Sequence, residues 1–122
     1  MVKIHHGQVT VKNLEESIKF YEKLGLKLAG RVEQTVTQEG NLKNAKMKIA
    51  LLQAGEDIFE LIEYINPKSS NQNKLNPWDV GAQHTALQVE DITKFYTNFK
   101  SEINFLTPPV HYKTEGIDVI WT

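Results

Sequence analysis

A chain of 122 residues, 40% of them hydrophobic, can bury one ordinary core without staples, and without cysteine it has neither a disulfide framework nor a thiolate site. Its 14 Lys and Arg against 15 Asp and Glu give a formal net charge of −1 with no basic block, which argues against nucleic acid as a partner. No apolar run approaches the ~20 residues of a membrane-spanning helix and the N-terminus carries no apolar signal segment, so a cytoplasmic protein with no membrane partner is expected.

The first regular element starts at His6. His6, Gln8 and Thr10 alternate with Val9 and Val11, the two faces of a strand. Asn13 is an N-cap, and Glu15 and Glu16 suit the positive end of a helix dipole. Leu14, Ile18, Tyr21 and Leu24 then form one apolar stripe, and Gly25 stands where a glycine ends a helix, which predicts a helix near 14–25. Phe20 and Tyr21 are read as helix–sheet packing. Strands are predicted over 27–37 and 44–53, joined by the polar loop Gln38 to Asn44. The turn Ala54-Gly55-Glu56-Asp57 leads into a further strand from Ile58 to Tyr64. Module one thus runs over 1–65 as strand, helix and three strands.

Prolines, serines and asparagines make 66–80 a linker without a regular element, with Trp78 expected to pack it on the core. Module two, 81–122, repeats the order. A strand begins at His84, and Asp91 caps a helix near 91–102 carrying Ile92, Tyr96, Phe99 and Ile103. A short strand is predicted near Asn104–Leu106, edged by Pro108-Pro109, and another from Gly116 through Ile117, Val119 and Trp121. The two modules share a pattern, His-x-x-(Val/Leu)-x-Val-x-(Asn/Asp)-(Leu/Ile), at His6–Leu14 and His84–Ile92, offset by 78 residues without a gap. Ile18 matches Tyr96, Tyr21 matches Phe99 and Leu28 matches Leu106, as a duplicated unit requires.

Both repeat histidines stand at a strand start, on the face opposite its most apolar residues. Glu60 lies near the middle of the apolar strand Phe59-Glu60-Leu61-Ile62-Glu63-Tyr64. Imidazole and carboxylate suit a divalent zinc, nickel, manganese or iron ion, and two His with one Glu leave positions open for water or substrate. His5 and His111 have no repeat partner and are read as surface residues.

These motifs, His6-x-x-Val-x-Val-x-Asn-Leu with Phe20-Tyr21 and Leu24-Gly25, then Glu60-Leu-Ile-Glu, then His84-x-x-Leu-x-Val-x-Asp-Ile, resemble the vicinal oxygen chelate superfamily of glyoxalases, bleomycin-resistance proteins and extradiol dioxygenases. The resemblance covers essentially the whole chain. It implies an α+β fold of two tandem βαβββ modules whose curved mixed sheets enclose a cleft, in one glyoxalase-like domain over 1–122, and a homodimer. It implies His6, Glu60 and His84 as metal ligands, with Glu60 also catalytic. The fourth ligand of glyoxalase-like relatives is a Glu on the last strand of module two, which these residues lack. The natural chain is therefore expected to extend past Thr122 by a turn and a strand bearing that Glu.

Glu60 points toward glyoxalase I-like lyase or isomerase chemistry. Extradiol dioxygenases take their carboxylate from the last module, and methylmalonyl-CoA epimerases typically carry Gln at the position of Glu60. Thr10 stands where glutathione-using members commonly have Arg, which argues against lactoylglutathione as the substrate. The implied activity is metal-dependent, enolate-type chemistry on a small oxygen-chelating substrate. The alternative is a metal-free binder of small molecules or drugs, of the bleomycin-resistance type.

Overall fold

The alternation after His6 becomes a short strand, β1 (Gly7–Thr10), and Asn13 starts the first helix, α1 (Leu14–Lys23). Three longer strands follow, β2 (Lys27–Glu39), β3 (Leu42–Ala54) and β4 (Asp57–Asn66). A computed structural model describes residues 1–70, 75–113 and 116–120, in two units, Met1–Asn73 and Lys74–Thr122.

In the first unit the strand order is β1-β4-β3-β2, a mixed sheet in which β1 runs parallel to β4 and the other neighbours are antiparallel. Helix α1 covers one face. Leu14, Ile18 and Leu26 pack there against Ala50, Leu52, Phe59 and Leu61, all buried. Tyr21 meets Phe59 edge-on at 5.2 Å, and burial pushes its hydroxyl pKa up. Phe20 behaves differently from Tyr21: it is 41% exposed and touches the Tyr21 ring from outside.

Both ends of α1 are held by identifiable bonds. The Asn13 side chain accepts from the Glu16 amide at 3.1 Å, and Glu63 on β4 accepts from the Leu14 amide at 2.8 Å. At the other end Gly25, at φ 104°, lets its own N–H reach the Glu22 carbonyl and the Leu26 N–H reach the Tyr21 carbonyl. The helix stops at Lys23, two residues inside the expected end. On the surface, Arg31 of β2 forms a bidentate pair with Glu15 of α1, and that hydrogen-bonded guanidinium holds the Glu15 carboxyl below its ordinary value.

The expected loop Gln38–Asn44 shrinks to Gly40-Asn41, with Glu39 and Leu42 already paired across the ladder. Gly40 sits at φ 53° in the first of the two loop positions, where a positive φ matches the strand twist. The second hairpin turns at Gly55-Glu56, as expected, with Ala54 opposite Asp57.

The second unit holds α2 (Ile92–Phe99), β5 (Val110–Tyr112) and β6 (Ile117–Val119), the last two paired antiparallel. Asp91 caps α2 by accepting from the Lys94 amide at 2.9 Å, the bond Asn13 makes one repeat earlier. Phe105 packs against Tyr96 and Phe95 of the helix. Four expectations need correction. No strand forms over 84–89: β1 owes its ladder to β4, and the second unit has no counterpart of β4 among the described residues. No strand forms at 104–106; Pro108 and Pro109, which lack the amides a ladder needs, follow it, and pairing begins at Val110 instead. Helix α2 ends at Phe99 rather than near 102, and its last turn continues only as bonds from the Glu102 and Ile103 amides to the Phe99 carbonyl. Trp78 does not pack on a core, since it is 80% exposed. Trp121 lies outside the described residues. No helix among them is long and apolar enough to cross a membrane.

Candidate functional site

The ladder register assigns each side chain of the first sheet to a face, because residues paired across strands point the same way. One row runs Gly7, Phe59, Leu52, Leu28, and the row two residues on runs Val9, Leu61, Ala50, Arg31; their apolar members face α1. The intervening row runs Gln8, Glu60, Leu51, Gly30 and points to the other face. Thr10, Ile62, Ile49 and Val32 form the next row on that face. Glu60 is thus a carboxylate set among Leu51, Ile49 and Ile62. Its side chain is 15% exposed, well short of a solvated surface acid.

Glu63 takes the opposite face. Its bond to the Leu14 amide gives it a structural task at the start of α1. The two acids of Glu60-Leu-Ile-Glu63 therefore do different work, separated by an odd step along a strand.

His6 approaches Glu60 from the residue before β1. Its Nε2 lies 4.0 Å from Glu60 Oε2, beyond hydrogen-bond reach, with 36% of the imidazole side chain exposed. The donor chemistry fits a divalent cation, since an imidazole nitrogen and a carboxylate oxygen facing one another are half of a His/Glu ligand set. His84 belongs to the second unit, in the stretch before Asp91 that carries no strand. No group of three or more His, Cys, Asp or Glu side chains that could hold a metal ion occurs among the described residues.

Two other histidines have partners the repeat did not reveal. His111 Nδ1 lies 2.7 Å from Asp118 Oδ1, directly across the β5–β6 ladder, with both side chains about half exposed. His5 Nδ1 lies 2.8 Å from His6 Nδ1, with the rings edge to face at 5.1 Å between centroids. Successive residues of a strand point apart, which hides such a contact from a strand reading. His5-His6 precedes Gly7, where β1 begins, so the two rings are free to meet. The adjacency of the two histidines was the available signal.

A four-stranded mixed sheet with one covering helix and a mostly apolar opposite face bearing a His–Glu pair defines a glyoxalase-like module. The chain belongs to the glyoxalase/bleomycin resistance protein/dioxygenase superfamily, whose family model matches residues 3–120. Among solved structures it is similar to a glyoxalase family protein from Bacillus cereus, with a TM-score of 0.71 and 20% identity over 99% of this chain and 93% of that one. It is also similar to SMU.1112c, with a TM-score of 0.60 and 15% identity over 98% of this chain and 89% of that one. At such identities the likeness is one of fold. No curated protein matches the chain.

Proposed function

We propose that the chain is a divalent-metal-dependent enzyme acting on a small substrate with two neighbouring oxygens. In this reading His6 and Glu60 donate from the first unit. The observation that carries it is the facing of His6 Nε2 and Glu60 Oε2 at 4.0 Å, on a mostly apolar sheet face. His6 stands too far from Glu60 to be hydrogen-bonded to it, which leaves the carboxylate oxygens able to accept a cation. A divalent cation held there would supply Lewis-acid activation of the substrate oxygens.

The chain's own residues do the rest. Glu60 accepts the proton α to the substrate carbonyl, and the apolar neighbours Ile49, Leu51 and Ile62 keep water from competing for it. Gln8, the cross-strand neighbour of Glu60 on the same face, offers an amide to orient a substrate oxygen. Thr10, one step further along that face, supplies no cation for a glutathione carboxylate. A small chelating acid or ketone therefore suits the site better than a glutathione adduct.

The test is metal analysis and calorimetry on protein purified without a histidine tag. One divalent ion per chain is expected, with affinity reduced about tenfold or more in His6→Ala and in Glu60→Leu. A chain that binds no divalent ion, or variants that bind as the parent does, would overturn the metal reading and leave a metal-free small-molecule binder.

A further inference from the structure

We infer that His5 is a positioning residue that fixes which nitrogen of His6 faces Glu60, an inference that rests on the metal reading above. His6 precedes the first residue of β1, so no ladder at its own position sets its ring direction. The contact that does is His5 Nδ1 to His6 Nδ1 at 2.8 Å, with the ring planes at 84°.

A neutral imidazole has one N–H and one lone pair, so a single hydrogen lies between these two nitrogens and one ring donates. If His6 accepted, its N–H would sit on Nε2, facing the Glu60 carboxylate. A charge-assisted pair of that kind closes to about 2.7–2.9 Å. The separation is instead 4.0 Å. That gap fits the other arrangement: His6 donates from Nδ1 to His5, and the bare Nε2 and the carboxylate stand apart as two acceptors. A cation is what two such acceptors share. Metal-binding histidines generally donate their second ring N–H to a neighbour, which fixes the tautomer and raises the basicity of the ligating nitrogen. Here that neighbour is an imidazole one residue earlier. His5 is exposed and outside the core, so its replacement leaves the fold standing.

The experiment has two readouts on the full chain, both at pH 8. Long-range proton–nitrogen spectra of the ¹⁵N-labelled, metal-free protein give the tautomer of His6. Calorimetric titration with Zn²⁺ alone gives affinity. The parent chain is expected to hold His6 as the Nδ1–H form. His5→Ala loses that preference and binds Zn²⁺ about tenfold more weakly. His5→Asn, whose side-chain oxygen accepts the same hydrogen bond, keeps both the tautomer and the affinity. Retention in His5→Asn also separates positioning from direct ligation, since an amide is a poor zinc ligand. A parent chain with His6 as the Nε2–H form overturns the inference, as does His5→Ala with parental affinity. A parent chain that binds no Zn²⁺ sinks the metal reading, and the tautomer spectrum then decides by itself whether His5 orients His6.

Discussion

Glu60 and Glu63 are the same residue type three positions apart, and the structure asks opposite things of them. Glu63 satisfies the amide of Leu14, a residue only 2% exposed, so Glu63→Leu leaves a buried donor unpaired. The expected cost is about 1–2 kcal/mol, from the desolvation of an orphaned N–H. Glu60 satisfies no backbone group and lies beside Leu51, its ladder partner. Glu60→Leu is expected to be neutral or to stabilise by up to about 1 kcal/mol, the signature of a residue kept for function at some expense to the fold. Urea midpoints measured at a common m-value compare the two. If Glu60→Leu proves the more damaging, Glu60 is a structural acid and the site loses its base. The sequence marked Glu60 because it stands near the middle of a mostly apolar strand. It left Glu63 unremarked, because the amide Glu63 caps lies 49 residues away in the chain.

Helix starts are set locally, and they were the most legible part of the chain. Asn13 and Asp91 each accept from the amide three residues on, and Gly25 ends α1 in a left-handed conformation. Nothing lies within 4 Å of where a Cβ on Gly25 would stand, so a side chain there meets no clash and pays only in backbone conformation. Gly25→Ala should therefore cost about 1–2 kcal/mol, and Gly25→Asn less, since Asn tolerates positive φ. Thermal unfolding of the two variants checks this, and an unperturbed Gly25→Ala would show that the terminal bonds of α1 do not depend on that conformation. Strand lengths were less legible. The outer parts of β2 and β3 are mostly exposed on both faces, so they carry no apolar–polar alternation and read as loop. Their pairing through Glu39 and Leu42 is set by the turn at Gly40, whose backbone preference was visible but whose position in the hairpin was not.

At the scale of the whole chain, the 78-residue repeat is a repeat of side-chain pattern, and only part of it became a repeat of structure. The caps and helix starts recur in register; the strand before them does not. A strand's alternation encodes which side chains face inward, while its hydrogen bonds depend on a partner elsewhere. β1 has β4, and residues 85–89 have no such neighbour among the described residues. The consequence extends to packing. Every buried hydrophobic residue described, from Leu14 to Ile62, belongs to the first unit, and α2 has no fully buried residue. Local stability should follow that division, because amide exchange tracks ladder bonds protected by buried apolar contacts. In hydrogen exchange followed by mass spectrometry, the central residues of β3 and β4, around Ala50 and Leu61, are expected to exchange only through global unfolding. Peptides covering 85–89 and β5 should exchange through local opening, at rates insensitive to low denaturant. Protection over 85–89 equal to that of β1 would mean that this segment is paired in solution. The strand pattern beginning at His84 would then be a strand in fact, and the second unit would be built as the first is.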